Sequence, residues 1–150
     1  MPRRRLDRPV DPAPMVDPAR RASYRFDYME EYRRDERALS PEMRLRITTF
    51  LQARFMRAWR DGATPTELND LWDFKLLEGR DARQLQVFQL RPNNQYRVAL
   101  IDVPVLSPPY IFFVRVFSKG KNVQDIARAT AAAARKREAV ASLLRGSLGR

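Results

Sequence analysis

Any chemistry in this chain runs without histidine or cysteine, because its 150 residues contain neither. That removes the two-histidine route to RNA cleavage, thiol nucleophiles, disulfides and thiolate metal sites. The groups left to act are cations. Arg91 and Arg97 flank the turn of "LQVFQLRPNNQYRVALI", residues 85–101, which reads as a hairpin. If Arg91 paired opposite Tyr96, Val87, Gln89 and Arg91 would share a face with Tyr96 and Val98. If Arg91 instead pairs opposite Arg97, the faces separate. Phe88, Leu90, Val98 and Leu100 then lie on one side, and Gln89, Arg91, Arg97 and Ala99 on the other. A one-residue slip inverts every side chain, and burying an unpaired guanidinium costs several kcal/mol. The second register is therefore expected, with a loop centred on Asn93–Gln95 and an asparagine in the left-handed region.

The next strand, "YIFFVRVFSK", is expected to alternate in the same way. Tyr110, Phe112, Val114 and Val116 form an apolar face for the helices, while Ile111, Phe113, Arg115, Phe117 and Lys119 form a mixed one. Arg91, Arg97, Arg115 and Lys119 could then converge on the side away from the helices, with Lys121 just beyond and Phe113 and Phe117 interleaved. Cations that meet phosphates and rings that meet unstacked bases suit RNA. The plainer alternative is that these arginines pair with carboxylates or shield an open sheet, and that both phenylalanines are core.

Net charge is +11, from 29 basic and 18 acidic residues, and the pI is about 10.9. Such a balance predicts a polyanionic partner, nucleic acid or acidic protein. Residues 115–150 carry nine basic and two acidic side chains, so the C-terminal part is the electrostatic centre. No clustered carboxylates have convincing ligand spacing, so neither a metal nor another cofactor is expected. No apolar run approaches the ~18 residues of a membrane span, and the N-terminus lacks the apolar core of a secretory signal. A cytoplasmic protein is the expectation.

The elements that must position these groups follow from periodicity. Residues 1–22 mix Pro, Arg and Asp without a period and read as a disordered arm, with one domain over 23–150. "YRFDY" is a half-buried strand and "MEEYRRDERAL" a short exposed helix. Ser40 caps the main helix with Pro41 at its first position, and Met43, Ile47, Phe50, Leu51, Phe55 and Ala58 form its apolar stripe. "DG" at 61–62 stops it, and "TPTE" at 64–67 opens a second short helix. Three strands follow, the last two separated by the proline-rich loop "VPVLSPP". Asn122 caps a closing helix to about Leu144, with Ile126, Ala129, Ala133, Val140 and Leu144 inward and Arg135, Lys136 and Arg137 mostly outward. The fold class is α+β: a small antiparallel sheet, one strand near the N-terminus plus three C-terminal strands, packed on two or three helices.

"FKLLEGR" at 74–80, "LQVFQLR", "YRV", "VFSKGK" and the alanine-rich helix that follows, taken in that order, resemble the RelE/HigB branch of the RelE/ParE toxin superfamily. The resemblance covers roughly residues 24–144. It implies a ribosome-associated endoribonuclease that cuts messenger RNA through attack of the ribose 2′-hydroxyl, needs no metal and is silenced by a protein antitoxin. Carried over by position, Arg97 holds the scissile phosphate, and Arg91, Lys75 and Lys119 match further basic positions of the pattern. Gln89 stands where relatives often place lysine, and Ile126 lies near where some carry a tyrosine. Tyr96 or Tyr110 are the available substitutes. Lys75 also reads simply as a solvated loop lysine.

Two other functions compete. A relative of the gyrase-directed toxins would act by protein contact without cutting RNA. A catalytically inert nucleic-acid-binding protein of phage or plasmid origin would only bind. The expected partners of the first reading are mRNA on the ribosome and an antitoxin lying over the basic face or against the last helix. Arg3, Arg4 and Arg5 in the arm could add affinity for ribosomal RNA.

Overall fold

The computed structural model describes residues 23–62, 74–77, 79–119 and 122–148. The arm at 1–22, the helix expected from "TPTE" and Lys121 lie outside the described residues. The elements are β1 (Arg25–Tyr28), α1 (Glu30–Arg37), α2 (Pro41–Phe50), a π-helical turn (Leu51–Met56) leading directly into α3 (Arg57–Arg60), β2 (Phe74–Leu76), α4 (Arg80–Gln84), β3 (Val87–Leu90), β4 (Tyr96–Val103), β5 (Tyr110–Ser118) and α5 (Asn122–Leu148). The fold is α+β, with a five-stranded sheet in the order β1-β5-β4-β3-β2 and a closing C-terminal helix. No helix among the described residues is long and apolar enough to cross a membrane.

Local signals set the helix ends. Ser40 Oγ accepts from Met43 N at 3.1 Å, and Pro41 occupies the first turn, where its missing N–H costs nothing. Gly62 closes the long helix at φ 103°, a conformation a side chain would resist. Ile47, Leu51 and Phe55 are buried along the expected stripe, joined by Met56 and Trp59. The π-helical turn brings Phe50 and Phe55 to a centroid distance of 5.4 Å.

The sheet differs from expectation in two ways. β2 is a fifth strand, and it pairs antiparallel with β3 so that Lys75 lies opposite Gln89. β1 runs parallel to β5, so the sheet is mixed rather than antiparallel. Between β3 and β4 the expected register holds: Phe88, Gln89 and Leu90 stand opposite Leu100, Ala99 and Val98. No residue of the 92–95 turn takes positive φ; among the described residues the non-glycine exception is Gln86 at 53°. The turn is closed instead by Asn93 Oδ1, which accepts from Gln95 N and Tyr96 N, each at 2.8 Å.

Helices cover both faces of the sheet. Phe74, Phe88, Leu90, Val98, Leu100, Ile111 and Phe113 pack towards α1–α3. Val87, Ala99, Ile101, Phe112, Val114 and Phe117 pack on Ala129, Ala132, Ala133 and Val140 of α5, whose small residues allow close approach. Coverage on both sides explains why β4 and β5 are almost continuously apolar. It also corrects the expectation of an open basic face, because α5 lies over much of it. Arg137 is likewise not turned outward: it donates to Leu85 O at 2.7 Å, Asp102 O at 3.1 Å and Gln86 O at 3.4 Å.

Candidate nucleic-acid interface

Where α5 begins, the sheet face it covers opens into a cleft of about 130 Å³ lined by Lys75, Gln89, Arg91, Arg97, Phe117, Lys119 and Ile126. Strand register places each contributor. Lys75 stands opposite Gln89 on β2 and β3. Arg97 stands opposite Phe117 on β4 and β5. Lys119 follows two residues on, with its backbone N donating to Gln95 O at 2.8 Å. Lys75, Arg91, Arg97 and Lys119, the four basic positions carried over from the resemblance, therefore line one cleft, although β2 had not been expected as a strand.

Arg97 is the deepest of them. Its relative exposure is 4%, and no other charged side chain among the described residues is as buried. Its Nη1 donates to Asn93 O and Tyr96 O, both at 2.8 Å. Burial, and then the neighbouring Arg91, lower its pKa from the ordinary guanidinium value. Both effects oppose the charged form, and an anion entering the cleft would relieve both. Among the described residues no carboxylate lines the cleft. Phe117 and Ile126 supply an apolar wall.

Two other expected contacts, Arg115 and Phe113, do not join this group. Arg115 turns to Asp35, with Nε to Oδ2 at 2.7 Å and Nη2 to Oδ1 at 2.8 Å. That pair raises the pKa of Arg115. Phe113 is fully buried on the opposite face, stacked on Tyr28 at a centroid distance of 5.0 Å. The cause is a β-bulge. Pairing runs Ala99↔Arg115 and then Leu100↔Phe113, so Val114 is skipped and the alternation of β5 inverts. For the same reason Val116 faces α1–α3 while Phe112 and Val114 face α5. Phe117 alone of the two phenylalanines reaches the cleft. Neither tyrosine substitute lines it: Tyr110 stacks on Phe112 at 5.3 Å, and Tyr96 packs against the α1–α3 core.

The lining thus offers guanidinium, ammonium, amide and apolar groups. Guanidiniums can hold a phosphate and stabilise charge that develops on it, and lysine amines can carry protons. Gln89 and Ile126 both line the cleft. Asn93 was read from sequence only as a residue tolerant of a tight turn, and its bonds to the tip and to Arg97 were missed. The available signal was the "PNN" run, since asparagine side chains commonly bond main-chain amides two residues on. Among the described residues no group of three acidic side chains is gathered as a metal cage. No protein-family model matches the chain, and no curated protein matches it.

Proposed function

We propose that the protein is a RelE-like toxin that binds messenger RNA on the ribosome and cleaves it, with the scissile phosphodiester in the cleft. The observation that carries this reading is the meeting of Lys75, Arg91, Arg97 and Lys119 around one small concavity that no carboxylate among the described residues lines. A phosphodiester is the anion that such a site suits, because two guanidiniums can take its non-bridging oxygens while the apolar wall meets sugar or base.

The reaction needs no metal in any step. The ribose 2′-oxygen attacks phosphorus, and the bond from phosphorus to the 5′-oxygen breaks. One lysine amine accepts the 2′-proton, and the other lysine, as ammonium, gives a proton to the departing 5′-oxygen. The products are a 2′,3′-cyclic phosphate and a 5′-hydroxyl. Arg97 and Arg91 hold the additional negative charge at phosphorus, which is the largest contribution such a site can make. A protein antitoxin that covers the cleft would silence the toxin, and the site of action is cytoplasmic.

Binding without cleavage is the second reading, favoured by Gln89 and Ile126 in the lining, where an amide and an alkyl group stand in place of proton carriers. Induced expression in a bacterium separates the readings. The first predicts growth arrest with fragmented transcripts, both abolished by Arg97→Ala. Growth arrest with intact transcripts and damaged DNA would point to a gyrase-directed toxin, and unimpaired growth to the inert binder.

A further inference from the structure

Arg97 is held by a turn rather than by an acid. Its Nη1 spends both hydrogens on main-chain carbonyls, Asn93 O and Tyr96 O, each at 2.8 Å. The Asn93 side chain fixes the backbone between those carbonyls, because its Oδ1 accepts from the amides of Gln95 and Tyr96, each at 2.8 Å. Its Nδ2 lies 3.4 Å from Met43 Sδ, which ties the tip to α2. With Nη1 engaged, Nε and Nη2 are the groups of Arg97 that make no hydrogen bond among the described residues. They form one edge of the guanidinium, the edge that matches two oxygens of a phosphate.

A recessed arginine with no carboxylate to orient it must get its direction from elsewhere. We propose that Asn93 is a positioning residue, whose side chain sets the turn that aims the Nε–Nη2 edge of Arg97 at a phosphate in the cleft. The inference rests on the phosphate-site reading above. Asn93 itself touches no substrate; it acts through the two carbonyls that hold Nη1. Fixing the guanidinium before the ligand arrives spares the ordering cost at binding, the usual advantage of a preorganised site.

The test measures binding of a short single-stranded RNA to the full chain across a range of salt concentrations, with thermal melting as the fold control. Asn93→Ala is expected to weaken binding about tenfold, the scale of one charge-assisted hydrogen bond. Its salt slope stays at the wild-type value, because the Arg97 charge remains in the cleft. Arg97→Ala loses affinity and also flattens the slope by about 0.7, the share of one phosphate contact on a single strand. Asn93→Ser, whose hydroxyl can accept from the same amides more weakly, recovers part of the affinity. Wild-type affinity in Asn93→Ala overturns the proposal, as does a slope loss equal to that of Arg97→Ala or a failure of serine to recover anything. Wild-type protein that does not bind RNA at all sinks the phosphate site together with the positioning role. Binding that falls with Arg97→Ala but ignores Asn93→Ala sinks the positioning role alone.

Discussion

Asp35 and Arg115 meet in a two-pronged ion pair, 2.7 and 2.8 Å, that joins α1 to the outer edge of β5. Asp35 Oδ2 also accepts from Val116 N at 2.9 Å, so the carboxylate caps a strand amide beyond the end of β1. One acidic residue therefore takes a cation away from the basic cleft and covers part of a sheet edge.

Both partners are mostly buried, with side-chain exposures of 20% and 14%. Breaking such a pair from one side leaves a charge uncompensated, so Asp35→Ala should lower stability by about 3–5 kcal/mol. Urea denaturation measures it. Arg115→Ala, though destabilising, should leave RNA affinity within about twofold of wild type when folded, because a change that size is below 1 kcal/mol and no cleft contact is lost. A large loss of affinity would return Arg115 to the binding surface.

Phe113 gives the matching contrast on the other face. It is fully buried and stacked with Tyr28, so Phe113→Ala should cost about 3–5 kcal/mol. Phe113→Leu preserves more of the packing and should bind RNA as wild type does. Specific loss of binding by the folded leucine variant would restore Phe113 as an RNA contact.

Arg137 pins α5 to the rest of the fold through the carbonyls of Leu85, Asp102 and Gln86. Lysine keeps the charge but not the planar fork, so it cannot reach three acceptors at once. Arg137→Lys should destabilise by roughly 1–3 kcal/mol, the scale of buried acceptors left unsatisfied. A melting temperature equal to wild type would contradict the clamp.

Asp102 makes stability depend on pH. Burial raises its carboxyl above the ordinary 3.8, opposed by a hydrogen bond with Tyr24 and by the charge of Arg137. Its Oδ1 is buried with no hydrogen-bond partner. The folded state accordingly favours the protonated acid. That contribution is complete below the unfolded value, about 3.9, and is lost as pH rises through the higher folded value. Asp102→Asn cannot ionise and escapes the loss. Denaturation at several pH values should show the variant gaining on wild type from about pH 4 upward and the gap levelling once Asp102 is ionised in both states. A gap that is constant across that range would count against the assignment.

The hairpin register was legible because only one pairing keeps Phe88, Leu90, Val98 and Leu100 together without burying Arg91 or Arg97 in the apolar core. The stripe of α2 and the inward alanines of α5 were legible for the same reason, a hydrophobic period that matches the element. What escaped was non-local. No period in "YIFFVRVFS" announces a bulge at Val114, and that bulge alone sends Phe113 into the core and leaves Phe117 in the cleft. The parallel pairing of β1 with β5 depends on residues some 85 apart, Arg25 and Tyr110 among them. β2 is three residues long, too short for alternation to be read. In the site, Lys75 was reached only through a family resemblance, and the burial of Arg97 follows from α5 covering a face that strand patterning left open.

The central claim is that an RNA phosphate enters the cleft beside Arg97. Titrating isotope-labelled protein with single-stranded RNA, and following arginine Nε–H signals by NMR, reports on it directly, with Arg115 as an internal control held by Asp35. The account predicts that the Arg97 and Arg91 signals move with saturation while the Arg115 signal stays in place. Saturable binding that shifts Arg115 or the outer arginines of α5, and leaves Arg97 and Arg91 unmoved, would contradict it.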